Sequence, residues 1–559
     1  MILETFHVMR DLSRLHEITT ILIRYGWGDV ARRLGVITVL ERAGRILHRQ
    51  EADDIVHLEP AVRARRALEE LGPTFVKLGQ VLATRVDMFP PNWIAEFEKL
   101  QSEVPPVSFA ELLPDLINAL GSSPLDIFEE VDTQPVAAAS IAQVHLAKLR
   151  DGTEVVLKIR RPGIRLKIEA DLRILSNIAH LLESEIPEMR RYQPAQIVAE
   201  FTRSLRRELD LALEARNIER FAQNFAGDEI VVIPRVYWEW TSEIMNVQQR
   251  IVGIPGNDLG AVEAAGLDRK LLAARGADAV LKMILLDGYF HADPHPGNVF
   301  YLPGNRLAML DFGMVGRLTH DRRNQLVDLL AALARRSEDG MLEVLLEWTG
   351  DASVDDIKLA ADVGDLVVNY EDVQLKDIRL GALLQEITMI MREHSLMLPS
   401  DLTLLFKALI TLEGLGRQLD PEFHMIEHLA PFVERVIRDR YTPAALFKRG
   451  QRNVNELYGF LTGLPRDLGR LIREVRRGRF RIDLDLKRLD HFGQQIDRSA
   501  NRLTMAIMTA SLVIGSSIVM TVEGGPTLFG LPLFGLLGFL LAFINSMWIV
   551  FSIWRSNRH

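Results

Sequence analysis

The chain has 559 residues, a net charge of -9 at pH 7, 25% charged residues and no cysteine. That length accommodates two or three domains, and the acidic balance gives no support to a nucleic-acid partner. The absence of thiols excludes disulfides, thiolate metal sites and cysteine nucleophiles.

Residues 1–60 read as N-terminal amphipathic helices. Ile18, Ile21, Leu22 and Tyr25 recur at helical spacing, with Arg24, Arg32 and Arg33 available to the other face. Packing on its own domain is the ordinary outcome for such a helix, and a membrane-surface helix is the alternative. The apolar run 18–23 contains Thr19 and Thr20, stops at Arg24 and has no small-residue cleavage site, so it is not a secretory signal. Residues 61–125 form a helical extension carrying Lys77-Leu78-Gly79-Gln80. Alone, Lys77 and Gln80 would be a polar helix face.

Residues 126–255 open as a β-meander. The run from Val136 through Ala137, Ala138, Ala139 and Ser140 turns through small residues, and Asp151-Gly152 is a hairpin signal. Val155-Val156-Leu157-Lys158-Ile159 then reads as a buried strand with one lysine. Kinases place a phosphate-pairing lysine on such a strand, after a small-residue loop whose backbone N–H groups approach the phosphates. The alternative for Lys158 is an edge-strand lysine reaching to solvent. The loop is alanine-rich, and alanine resists positive φ, so a stiffer phosphate cover is expected.

Residues 163–225 are strongly helical in pattern. A kinase-like lobe needs a helix-borne glutamate to hold the strand lysine. On one continuous helix Glu208 and Glu214 point about 240° apart, whereas Asp210 and Glu214 share a face. Two separate carboxylate tasks are therefore expected, against the bland alternative of solvated helix residues.

Residues 256–440 read as a second lobe. It begins with helices and reaches His291-Ala292-Asp293-Pro294-His295-Pro296-Gly297-Asn298, followed by Leu310-Asp311-Phe312-Gly313. Phosphoryl-transfer enzymes of the protein-kinase fold need one carboxylate facing the nucleophile, one amide on Mg²⁺ and a second carboxylate holding the metal against the β- and γ-phosphates. Asp293, Asn298 and Asp311 are the right types, since Mg²⁺ prefers hard oxygen ligands. Two asparagine- and proline-rich turns capping strands are the alternative. His291 and His295 read as structural. The helical pattern resumes soon after Gly313, with no long activation segment, and Ala292 stands where peptide kinases carry an arginine, which argues against a phosphorylation-switched peptide kinase. Residues 320–440 look all-helical, with little local chemistry.

Residues 441–500 read as a basic amphipathic linker, with Arg466, Arg470, Arg473, Arg476, Arg477 and Arg479 among its cations. Such a run is usually a solvated face, and attraction to anionic headgroups is the alternative. In 501–555, the stretch 503–522 is uncharged and long enough for a membrane-crossing helix, and 531–551 could form a second. Arg502, Arg555 and Arg558 at the outer ends predict a multi-pass protein of the cell inner membrane with a cytoplasmic catalytic domain. The expected fold class is α+β: a two-lobed protein-kinase-like fold with a helical N-terminal extension and a C-terminal transmembrane helical hairpin.

Together, Lys77-x-Gly79-Gln80, the alanine-rich loop, Lys158, Glu208-x-Asp210, the 291–298 pattern and Asp311-Phe312-Gly313 resemble the UbiB family of atypical kinase-like proteins. The resemblance spans roughly residues 60–340, and the C-terminal segment also looks like bacterial members. It implies binding of ATP and Mg²⁺ and a role in ubiquinone or other polyprenyl-quinone biosynthesis. Lys158 would pair with the nucleotide phosphates and with Glu214, beneath Ala137, Ala138, Ala139 and Ser140. Asn298 and Asp311 would carry metal, and Asp293 the catalytic-loop position. Lys77, Gln80, Glu208 and Asp210 would belong to an inhibitory insert across the peptide site. Gln248-Gln249-Arg250 departs from the Met-Glu-Arg usual before the interlobe link.

Three functions remain open on this reading. The first is an atypical kinase or ATPase, anchored at the membrane, acting on lipid-like quinone precursors or on partner enzymes of their biosynthesis. The second is a nucleotide-gated scaffold for those enzymes. The third, an ordinary Ser/Thr protein kinase, is opposed by the short segment after Gly313. No Gly-x-Gly-x-x-Gly follows a strand to hold a flavin, which removes a direct hydroxylase.

Overall fold

The structure, a computed structural model, describes residues 9–33, 57–100, 104–349, 355–371, 373–374, 377–394 and 396–440. In the C-terminal part it describes 504–505, 507–519, 526–528, 531–532 and 537–547. The chain divides into two units, residues 1–446 and 447–559.

The first unit opens with α1 (Met9–Arg24), α2 (Gly28–Arg33), α3 (Pro60–Leu71), α4 (Pro73–Ala83), α5 (Pro91–Phe97), α6 (Phe109–Leu120) and α7 (Pro124–Ile127). The first sheet follows, built from β1 (Phe128–Val131), β2 (Ala137–Ala138), β3 (Ala142–Leu149) and β4 (Glu154–Arg160). Then come α8 (Ile164–Glu185), α9 (Pro194–Glu208), α10 (Leu211–Asn224), β5 (Val231–Val232), β6 (Met245–Gln249) and β7 (Ile254–Pro255). The strand order is β1-β3-β4-β6, with β2 paired to β3. The chain continues through α11 (Leu259–Ala264), α12 (Arg269–Leu281), a π-helical turn (Lys282–Asp287), β8 (Tyr289–His291), β9 (Val299–Leu302), β10 (Arg306–Met309) and β11 (Val315–Arg317). Here β5-β10-β9-β7 form a second sheet, and β8 pairs with β11. Six helices complete the unit: α13 (His320–Ala334), α14 (Glu338–Thr349), α15 (Asp356–Asn369), α16 (Leu380–Glu393), α17 (Ser400–Leu419) and α18 (Met425–Arg440).

Strand alternation explains the first sheet. Val155, Leu157 and Ile159 on β4, with Met245 and Val247 on β6, bury against Leu112 and Leu116 of α6, which leaves Val156 and Lys158 on the opposite face. The Asp151-Gly152 turn joins β3 to β4: Gly152 takes φ +87°, and Thr153 N donates to Asp151 Oδ1 at 2.9 Å. The second core holds α12, the π turn, Phe290, Phe312 and the buried faces of α13–α17.

The N-terminal helices pack on the first lobe. Leu15, Ile18 and Ile21 of α1, with Tyr25 just beyond its end, bury with Leu71, Phe75, Ile168 and Leu172. This is the packing expected of a helix against its own domain, and residues 1–8 and 34–56 lie outside the description. Asp171 of α8, fully buried, accepts from Arg14 Nε at 2.6 Å and from Thr74 Oγ1 at 2.6 Å. That carboxylate fixes α1 and α4 to the lobe, because a buried charge is tolerated only when paired.

The expectation of two C-terminal transmembrane helices, and with it the multi-pass inner-membrane location, is overturned. Among the described residues no helix is long and apolar enough to cross a membrane. In the second unit the helical residues run over 507–519 and 537–547. At 1.5 Å per residue, thirteen residues reach about 20 Å against about 30 Å of hydrocarbon. Leu531, where the second span was expected to begin, lies instead in a hairpin of β12 (Thr527–Leu528) and β13 (Leu531–Pro532). An uncharged run sets only an upper bound on helix length. The basic linker 441–500 lies outside the described residues.

His145 on β3 is buried: Nδ1 meets Asp132 O at 2.8 Å, and Nε2 meets the Gln143 amide nitrogen at 2.9 Å. Burial holds its pKa below the usual histidine value. Between the unfolded value near 6.5 and the lower folded value, the unfolded chain binds the extra proton, so stability falls as pH falls. Thermal unfolding at pH 7.5 and 5.5 is expected to show a smaller acid-induced loss in His145→Gln than in the wild type. Equal losses contradict the assignment.

Candidate active site

Lys158 is the centre of the cleft. Its Nζ lies 2.8 Å from Glu214 Oε1 and 3.2 Å from Asp311 Oδ1. Burial opposes the ammonium, but Asp311 and Glu214 more than offset that and raise its pKa above the lysine range. Lys158 in turn holds the Asp311 carboxyl well below the usual carboxylate range, against the effect of burial. Burial pushes Glu214 the other way, upward.

Glu214 reaches Lys158 because the helix is broken. α9 ends at Glu208, and Asp210 takes a non-helical conformation (φ -105°, ψ 95°) as the N-cap of α10, accepting from Ala212 N at 3.0 Å. Continuous-helix geometry put Asp210 and Glu214 on one face. Instead Asp210 caps, with Arg216 3.6 Å away, while Glu208 and Glu214 serve different lysines. The expectation of two carboxylate tasks stands, by a different geometry.

Glu208 pairs with Lys77 on α4 at 2.5 Å. Burial opposes the Lys77 ammonium, and Glu208 outweighs it, with Asp311 adding in the same sense. Gln80, on the same helix, donates from Nε2 to Leu100 O at 2.9 Å. Gly79 is required by close approach, since a Cβ there would strike the Leu100 and Leu68 side chains. After α4, Arg85 and Asp87 form a buried two-point pair at 2.9 and 2.7 Å. Asp87 also accepts from Leu398 N at 3.2 Å, and Arg392 Nη1 donates to Phe89 O at 3.2 Å. The Lys77 helix is therefore held to the first lobe through Thr74 and to the second through Asp87 and Phe89.

The 291–298 segment is organised by its own backbone. His291, buried, accepts at Nδ1 from Asp293 N (3.2 Å) and faces Leu310 O with Nε2 (3.2 Å), and burial holds its pKa down. Nδ1 of His295 accepts from Gly297 N at 3.2 Å. Both histidines act on the backbone. Asn298 gives Nδ2 to Asp293 O at 3.1 Å, which leaves its amide oxygen for a cation, and its carbonyl accepts from Leu310 N at 2.8 Å. Asp311 follows directly, in the left-handed region at φ 53°, with Gly313 N donating to its Oδ1 at 3.1 Å. Non-glycine residues hold that conformation only where the surroundings fix it. Asp293 Oδ1 lies 2.9 Å from Lys407 Nζ on α17.

Ala137 and Ala138 form β2, opposite Val144 and Gln143. Ala139 N donates to Ala142 O at 2.9 Å, and Arg161 Nε donates to Ala139 O at 2.8 Å. Ser140 is buried, with no partner for its hydroxyl.

Three residues passed over in the sequence complete the site. Asn217 Nδ2 donates to Phe312 O at 2.9 Å, and Tyr289 Oη donates to Asn217 Oδ1 at 2.7 Å. Phe312 is fully buried between Phe221 (centroids 4.9 Å apart) and His291 (5.4 Å), joining α10 to both motifs. Lys407 is the third. Its signal was a single charge in the run Leu402-Thr403-Leu404-Leu405-Phe406-Lys407-Ala408-Leu409-Ile410-Thr411-Leu412.

A strand lysine within 3.2 Å of both a helix glutamate and the first carboxylate of the second motif, between two lobes, defines a protein-kinase-like α+β protein. Family models agree. Residues 99–345 match the ABC1 atypical kinase-like domain, 363–424 the UbiB helical domain, and 487–555 the ABC1/UbiB kinase-like C-terminal domain. The chain is 33% identical to a probable protein kinase UbiB of Pseudomonas putida, over 82% of this chain and 86% of that one. It is 31% identical to an "Uncharacterized protein in hydrogenase 1 5'region" of Clostridium pasteurianum, over 88% of this chain and 93% of that one. Among solved structures, the Rv3197–erythromycin complex from Mycobacterium tuberculosis is similar at 22% identity and a TM-score of 0.41, over 64% of this chain and 94% of that one. The chain belongs to the ABC1/UbiB family of atypical kinase-like proteins.

Asn217→Ala removes the two side-chain hydrogen bonds that Asn217 of α10 makes to Phe312 and Tyr289. It is expected to cost about 2 kcal/mol, taking each bond at about 1, and to lower amide-exchange protection across Leu211–Asn224. Unchanged protection there contradicts the assignment.

Proposed function

We propose that the cleft binds Mg²⁺-ATP and transfers or hydrolyses its γ-phosphoryl group in support of ubiquinone or a related polyprenyl-quinone biosynthesis. The observation that carries the reading is the placement of Lys158 Nζ between Glu214 and Asp311, at 2.8 and 3.2 Å. In this reading Lys158 binds the nucleotide phosphates while Glu214 aims it, and the 137–140 turn covers them.

The donor chemistry fits Mg²⁺. Among the described residues no group of three or more histidines or carboxylates makes a complete metal cage. Mg²⁺ characteristically takes one or two protein oxygens and completes its shell with phosphates and water. The Asp311 carboxylate and the Asn298 amide oxygen would hold it, and the ion would supply charge neutralisation on the β- and γ-phosphates. Asp293 receives the proton of the attacking hydroxyl or water.

The Lys77–Glu208 helix carries the substrate argument. Tied to both lobes, it occupies the approach that an extended peptide needs, so the acceptor is small or lipid-like. Polyprenyl-quinone precursors, alone or presented by partner enzymes of the same biosynthesis, have the phenolic headgroup this requires. Lys77, Gln80, Glu208 and Asp210 then act as restraint on the cleft, with Gln80 bracing α4 through Leu100 and Asp210 seating α10.

The test is ATP hydrolysis by the full chain with and without a phenolic headgroup mimic, alongside quinone levels in cells carrying Asp311→Asn. The proposal expects a measurable basal rate, raised by the mimic, and loss of both rate and quinone in Asp311→Asn. A rate indifferent to the mimic removes the coupling to a phenolic acceptor. Normal quinone levels without hydrolysis leave a nucleotide-gated scaffold.

A further inference from the structure

We propose that Lys407 is a catalytic residue of this cleft, contacting the γ-phosphoryl group in transfer. The inference rests on the nucleotide reading above and assigns a role to a helix outside both sequence motifs.

α17 is a core helix: Leu402, Leu405, Phe406, Leu409 and Leu412 are buried against the second lobe. Lys407 breaks that apolar pattern, and its ammonium lies 2.9 Å from Asp293 Oδ1. The two side chains are 32% and 34% exposed. The pair is only partly buried, so the ammonium keeps room for a further partner beside Asp293. Lys158, at 17% exposure, is committed to Glu214 and Asp311, so the cation beside Asp293 comes from α17.

The helix is also fixed in place. Asp401 in its first turn lies 3.3 Å from Arg322 Nε, and Leu398 N just before it donates to Asp87. An ammonium on so rigid a mount costs little reorganisation as charge develops.

In the reaction, the acceptor oxygen forms a bond to the γ-phosphorus as the bond to the β–γ bridging oxygen breaks. The electron pair of that bond leaves with ADP, and the acceptor's proton passes to the Asp293 carboxylate. Phosphoryl transfer has little covalent chemistry for the protein to perform, so cations placed at the equatorial oxygens and at the nucleophile decide the rate. Lys407 holds Asp293 toward the acceptor and offers its remaining N–H donors to those oxygens.

The test compares kcat for ATP hydrolysis with Mg²⁺-ATP affinity in the full-length wild type, Lys407→Met and Lys407→Arg. We expect Lys407→Met to lose about 10²-fold in kcat, the usual effect of removing one transition-state donor. Its affinity should change less than about threefold, since a contact made mainly in the transition state leaves ground-state binding intact. Lys407→Arg should recover most of the rate, and Lys407→Gln serves in place of Lys407→Met if the latter fails to fold. Wild-type or higher kcat in Lys407→Met overturns the inference, as does a loss in kcat that tracks lost thermal stability and is not recovered by arginine. Failure of the wild type to bind Mg²⁺-ATP overturns the reading of the cleft itself.

Discussion

The Lys158 ammonium holds the molecule's two lobes in one arrangement. It projects from a strand of the first sheet, meets Glu214 on α10 and meets Asp311 on the far side of the cleft. Removing one partner of such a buried pair costs about 3–5 kcal/mol, because the other charge is left uncompensated. Much of the surrounding structure serves this contact. Asp210 caps α10 so that Glu214 points inward, Asn217 and Phe221 tie the same helix to Phe312, and Phe312 packs against the tilted His291 ring. A displacement of α10 would therefore be felt at both motifs.

A second set of contacts decides what can enter. The Lys77 helix reaches the first lobe through Thr74 and Glu208 and the second through Asp87 and Phe89. Its charge stands close enough to Asp311 that each raises the preference of the other for its ionised form. Moving this segment away would break the Lys77–Glu208 ion pair on one side and the hydrogen bonds of Asp87 and Phe89 on the other. The cleft thus sets the Lys158 contacts beside a strap tied to both lobes, and the strap's last anchor lies directly before the helix that carries Lys407.

The motifs with fixed local chemistry were legible in the sequence. Lys158 stood alone in a buried strand, and the 291–298 and 310–313 segments announced themselves by residue type and are joined through the Leu310 N to Asn298 O bond. Asp210 was found but misplaced, because 163–225 reads as one helix until a cap is recognised. Gln80 belonged to the right motif, but its partner, the Leu100 carbonyl, carries no side-chain signal. Lys407 and Asn217 were missed for a related reason: each acts across a long separation in sequence, with Lys407 beside Asp293 and Asn217 beside Phe312. The C-terminal segment failed differently. Lack of charge over 503–522 was taken as helix length, yet the described helical residues stop at 519, and a hairpin occupies 527–532.

The most direct test of the Lys158 contact is calorimetric titration of a Mg²⁺-bound non-hydrolysable ATP analogue into wild type and Lys158→Met, with folding checked by circular dichroism. A charge-assisted contact contributes about 1.5–3 kcal/mol, so the variant should bind about tenfold or more weakly while keeping its fold. Equal affinity in the two proteins would contradict the account.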